Sequence, residues 1–155
     1  MVTRGNGERG GAAGGRPPFP GPDDVPDLRL VPDHAFSTFD WRDVDIEGAD
    51  FAIEMDVTPR VVNSSGALQG GLMAVLVDLV AGRALLKPPS GFTKVATTEL
   101  HLNFLEPARD GPVRAEAHVL RRGRRSAVVR VEVHDVNGRL VATATLSFAA
   151  PTGGR

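Results

Sequence analysis

The sequence predicts an α+β domain in which a mostly antiparallel sheet wraps around one long central helix, in the order β-β-α-β-β-β-β. Three observations carry this. The apolar run from Gly71 to Leu86 ends on Lys87-Pro88-Pro89, which reads as one helix with a firm stop. Apolar and polar residues alternate with period two over three consecutive later segments. Between those segments lie Asn137-Gly138 and Gly123, where hairpins need turns. A sheet wrapped around a single helix lets each bury the other's apolar surface.

Taken in order, residues 1–33 are rich in Gly, Pro and Arg and short of large apolar side chains. They cannot bury enough surface to offset ordering entropy, so a disordered tail is expected there, and again at 151–155. The folded domain is expected over 34–150. Thr38–Ile46 and Asp50–Thr58 read as two strands joined by a turn at Glu47-Gly48, with Pro59 ending the second. Val61–Leu68 is an irregular loop leading into Gln69-Gly70-Gly71 and the helix, which is apolar nearly all round and so expected to be buried on most sides. Lys94–Glu106 is extended and ends at Pro107. The last three strands follow from alternation. Val113, Ala115, Ala117 and Val119 define one inward set, Ala127, Val129, Val131 and Val133 the next. Leu140, Ala142, Ala144, Leu146 and Phe148 define the third. Asn137-Gly138 is expected to form a two-residue turn, and Gly123 to take positive φ.

The 155 residues suffice for one domain with a core and not for two. Formal charge is −1, so no global field draws nucleic acid or anionic lipid. The absence of cysteine excludes disulfides, thiolate catalysis and Cys-ligated zinc. The first residues lack the apolar core of a signal peptide. The apolar run falls short of the roughly 20 residues needed to cross a bilayer and is interrupted by Asp78 and Arg83. A cytoplasmic location is expected.

Asp78 is the one acid in the apolar helix, and such a carboxylate is costly without partners or a task. At helical spacing it shares a stripe with Gly71, Ala74, Ala81, Gly82 and Leu85, nearly all small, which admits a ligand or another subunit. A structural Asp bonded to nearby backbone or hydroxyl groups is the competing reading. Gly70 and Gly71 put open backbone N–H groups at the positive end of the helix dipole, where an oxyanion would be stabilised. Asp78 lies eight residues beyond Gly70, a rise of about 12 Å. One carbonyl cannot touch both within a chain, so joint action requires two-fold symmetry and a site shared across a homodimer.

The run from Asn63 through Gln69-Gly70-Gly71 to Asp78 resembles the hot-dog-fold thioesterases of the PaaI type. Their pattern is Asn, five residues, His-Gly-Gly, then an apolar helix with an acid nine positions after the His. Thr97-Thr98-Glu99-Leu100, continuing through Phe104 to Pro107-Ala108, is similar to that family's third strand. Gly123-Arg124 and Gly138 to Ala142 match its last hairpins, so the resemblance covers residues 36–149. It implies hydrolysis of an acyl-CoA thioester, with Asp78 as base or nucleophile, the Gly70 N–H polarising the carbonyl, Asn63 placing substrate or water, and Thr97 orienting the attacking water. It also implies a dimer, paired into a dimer of dimers. This chain departs at Gln69, which hydrogen-bonds like His but cannot titrate near neutral pH.

Gln69, Gly71, Ala74 and Gly82 are the candidate substrate-lining positions. Arg121 and Arg124, in the cluster that includes Arg122 and Arg125, are candidates for the CoA phosphates, against the plainer reading of a charged, solvated turn. That short basic turn lacks the stripe or stacking platform nucleic acid needs. His34, His101, His118 and His134 show no metal-ligand spacing, and His118 and His134 are expected to face solvent. Ser64-Ser65 has no nucleophile elbow around it, Glu99 and His101 read as exposed strand residues rather than an acid-base pair, and no cofactor fingerprint appears. Two other functions remain at this level: a hot-dog dehydratase or hydratase, against which the missing His at 69 speaks, and a catalytically weak acyl-thioester binding protein, for which Gln69 is the argument.

Overall fold

The computed structural model describes residues 34–89 and 92–150. The expectations for 1–33 and 151–155 lie outside the described residues. Six strands, β1 (Trp41–Val44), β2 (Phe51–Met55), β3 (Ala96–Phe104), β4 (Val113–Arg122), β5 (Ser126–His134) and β6 (Leu140–Ala149), form one antiparallel sheet in the order β1-β2-β4-β5-β6-β3. The helix α1 (Gly70–Leu86) packs on it. The predicted order holds.

The core lies between that helix and the central strands. Met73, Leu76, Val77, Val80, Ala84 and Leu85 are buried against Ile53, Val113, Ala115, Ala117, Val129, Val131 and Leu146. The inward sets of β4 and β5 are the ones alternation gives, because a strand with one buried face repeats every two residues. The opposite face carries Arg114, Glu116 and His134. Arg114 pairs with Glu116 at 2.6 Å, and His134 Nδ1 lies 3.7 Å from the same carboxylate, so His134 is half-buried rather than turned to solvent.

Several expectations are corrected. The first two strands are shorter than expected, and a 3-10 turn (Ala35–Thr38) takes the residue at which the first was expected to begin. Phe36 N–H donates to His34 Nδ1 there, at 3.1 Å. The second hairpin is not a two-residue turn. Gly138 N–H donates to Asp135 O at 2.9 Å, Val136-Asn137 are the central pair, and Gly138 takes φ 77°. Within β6, Val141 is an extra residue between the pairs Val133↔Ala142 and His134↔Leu140, so Leu140 turns outward and Val141 is buried. Gly123 does not take positive φ. A Cβ there would lie 3.1 Å from Ser126 O, so glycine answers a close approach.

The helix is also less enclosed than its composition predicts. Ala81 and Leu85 are buried in the core, whereas Gly71 and Asp78 are exposed and Ala74 and Gly82 only half-buried. β3 borders the same open side. Among the described residues it pairs only with β6, leaving one edge free, and all but one of its residues are exposed.

Candidate functional site

Two clusters lie on this open side, at different heights along α1. The first is Asp78 with Thr97. Thr97 Oγ1 donates to Asp78 Oδ1 at 2.6 Å, joining mid-helix to the start of β3. A register shift between Thr97 and Glu99 accompanies this, and Thr98 Oγ1 donates to Ser147 O at 3.0 Å. Such a bulge re-aims side chains, and here it lets Thr97 face the helix. Asp78 is thus an exposed carboxylate with one oxygen engaged by a hydroxyl, not a buried one.

The second cluster surrounds the start of α1. The loop before it is tied by a bridge between Val62 and Leu68, and Leu68 N–H donates to Ala108 O at 2.7 Å. Asn63 Oδ1 accepts from Ser65 N–H, Ser65 Oγ and Ala67 N–H at 2.9, 2.7 and 3.2 Å. Its oxygen therefore shapes the loop, and only its NH2 remains for a ligand. Leu72 and Met73 N–H both donate to Gln69 O, while the Gln69 side chain is exposed and makes no capping bond. The backbone, not that side chain, holds the helix start. Among the described residues, the Gly70 and Gly71 N–H groups have no hydrogen-bond partner. They are the orphan donors that every helix start presents.

A cavity of about 360 Å³ opens beside them, lined by Asn63, Gly70, Met73, Phe104, Glu106 and Ala108 among others. Asp78 does not line it. The chain therefore brings Asn63 to Gly70 and Thr97 to Asp78, but does not join the two pairs. Among the described residues, nothing lies within 4 Å of a Cβ built on Gly71 or Gly82.

Arg121 and Arg124 are exposed at the β4–β5 turn. Between them Arg122 does different work: it donates to Leu85 O at 3.2 Å and Ala84 O at 3.3 Å, capping the negative end of α1. Its guanidinium also lies 5.6 Å from the Phe92 ring. Nothing in the spacing of the arginines singles it out. Sequence reasoning placed Phe104 in the third-strand pattern but gave it no role; its ring packs on Gly70. The signal available was an aromatic residue three before Pro107. No group of three His, Asp or Glu side chains able to hold a metal occurs among the described residues, and no described helix is long and apolar enough to cross a membrane.

Residues 65–142 match the pattern of the thioesterase superfamily. A Saccharolobus solfataricus protein assigned as an esterase is 33% identical over 116 residues, covering 75% of this chain and 82% of that one. The 1,4-dihydroxy-2-naphthoyl-CoA hydrolase of Escherichia coli is 33% identical over 95 residues, 61% of this chain and 70% of the enzyme. A crystal structure of a Haemophilus influenzae thioesterase superposes with a TM-score of 0.69 at 23% identity, covering 79% of this chain and 85% of that one, which is a likeness of fold.

Proposed function

We propose that this chain, which belongs to the thioesterase superfamily, hydrolyses acyl-CoA thioesters to the free acid and CoA, in a site made by two subunits. The observation that carries the reading is the hydrogen bond from Thr97 Oγ1 to Asp78 Oδ1. A hydroxyl that donates to a carboxylate still has lone pairs to accept from a water. Such a water, held between Thr97 and the free Asp78 Oδ2, is aimed by one group and deprotonated by the other. It attacks the thioester carbon, Asp78 takes its proton, and the developing oxyanion rests on the Gly70 N–H of the partner subunit. Collapse of the tetrahedral intermediate expels the CoA thiolate, which then takes up a proton. Direct attack by Asp78 through an anhydride gives the same products.

The two-subunit site rests on the rise of about 12 Å between Gly70 and Asp78 along one helix. The free edge of β3 supports it, as does the exposed Leu100, which a second copy would cover. Arg121 and Arg124 are offered for the CoA phosphates because both guanidinium groups are exposed and neither is committed to the helix carbonyls.

A thiol-release assay against short-chain, aryl and long-chain acyl-CoA tests the reaction. Release that is lost in Asp78→Asn, with fold and assembly retained, is the expected result. Full release by Asp78→Asn overturns the assigned role. Saturable binding without release by the native chain favours the acyl-thioester binding protein instead.

A further inference from the structure

We propose that Phe104 is a specificity-determining residue of this site, its ring forming the wall along which the pantetheine arm of a CoA thioester lies. The inference rests on the hydrolase reading above and names which half of the substrate enters the Gly70 cavity. Phe104 ends β3 with 59% of its surface exposed, an unusual position for a large aromatic side chain. Its ring is braced on the helix start. A Cβ built at Gly70 would lie 3.2 Å from Cζ and 3.4 Å from Cε1, so the ring lies against the backbone that carries the open N–H. The cavity it walls is amphipathic, with Met73, Leu105 and Ala108 apolar and Asn63, Ser65 and Glu106 polar. An unsubstituted alkyl or aryl acyl group has no use for three polar neighbours. A pantetheine arm alternates methylenes with amides and uses both kinds of surface, and its sulfur would sit beside an aromatic edge, a favourable contact. Glycine at 70 then serves space as well as hydrogen bonding, since a methyl there would press the ring into the cavity.

Binding is read without turnover in the Asp78→Asn chain, by calorimetry with coenzyme A and with butyryl-CoA. Adding Phe104→Ala is expected to weaken both about tenfold, and Phe104→Leu, which keeps apolar bulk, to restore affinity to within about threefold. In the chain that retains Asp78, Phe104→Ala should raise KM by a similar factor and leave kcat within about threefold, because ground and transition states share the lost contact. The ring is mostly exposed, so its truncation opens no core cavity, and an unchanged thermal midpoint checks this. Unaltered Kd and KM in Phe104→Ala overturn the proposal, as does a fall in kcat at constant KM. If Phe104→Ala weakens binding but the native chain releases no thiol, the hydrolase reading fails and the Phe104 wall stands. If the native chain hydrolyses and Phe104→Ala matches it, only the wall falls.

Discussion

Thr97→Ala removes the hydroxyl that donates to Asp78 at 2.6 Å and changes little else, because Thr97 is exposed on an edge strand. A hydrogen bond to a charged group contributes about 1.5–3 kcal/mol. At about 1.36 kcal/mol per tenfold, its complete loss from the transition state would slow turnover by roughly 10- to 150-fold. Water can reach both side chains in the single chain and replace part of the bond, so a fall in kcat of about 10- to 30-fold is expected. Thr97→Ser keeps the oxygen and should stay within about threefold of native. The assay is thiol release at saturating acyl-CoA, with KM and the thermal midpoint measured on the same samples. Native kcat in Thr97→Ala would refute the water-aiming role. So would a Thr97→Ser chain as slow as Thr97→Ala, since the role assigned is to the hydroxyl alone.

Leu85→Ala, at a fully buried position facing the sheet, should cost about 2.7–5 kcal/mol in urea unfolding and lower the midpoint at unchanged slope. Arg122→Met should cost about 0.5–1 kcal/mol by uncapping the carbonyls of Ala84 and Leu85, whereas Arg124→Met should leave the melting curve alone and raise KM for CoA thioesters. Asp135 accepts from the backbone N–H groups of Arg139 and Asn137 and from the Arg139 side chain. These bonds hold its carboxyl below the usual 3.8, the Arg139 backbone bond foremost. A folded pKa below the unfolded one contributes stability above the unfolded value and loses it as pH falls through the folded one. Asp135→Asn should therefore lower the midpoint at neutral pH and flatten the decline below pH 3.8, read by circular dichroism.

The sheet and helix were legible because burial on one face imposes a period that sequence records directly. Val129, Val131 and Val133 sit where alternation puts them. The run to Leu86 ended at Lys87-Pro88-Pro89 as proline chemistry demands. Leu140 and Val141 were misassigned because one extra residue in β6, at Val141, breaks the alternation there, while Ala142, Ala144, Leu146 and Phe148 stay where it puts them. Asp78 was found from its isolation in an apolar run, yet its environment was misjudged. Hydrophobicity all round a helix does not distinguish burial by its own sheet from coverage by another chain. Thr97 came from a motif, and its contact with Asp78 depends on a bulge that composition does not encode. Arg122 and Phe104 were named without a role because their work is set by what lies across the fold, Ala84 and Leu85 for one and Gly70 for the other.

A site divided between subunits is tested most directly by mixing two chains that are each inactive. Asp78→Asn removes the carboxylate proposed as the base. Gly70→Pro removes the N–H donor without breaking the helix, since proline is accepted at the first helical position and Gln69 already has the extended backbone (φ −60°, ψ 126°) that precedes proline; its added carbons also crowd the Phe104 ring, which belongs to the same half of the site. Each variant alone should fall by about 100-fold or more. After unfolding and refolding together in equal amounts, half of the dimers carry one chain of each kind. Each such dimer holds one complete site, so about a quarter of native activity should return. A mixture that exchanges subunits, as native gels would show, yet stays inactive would contradict the shared site.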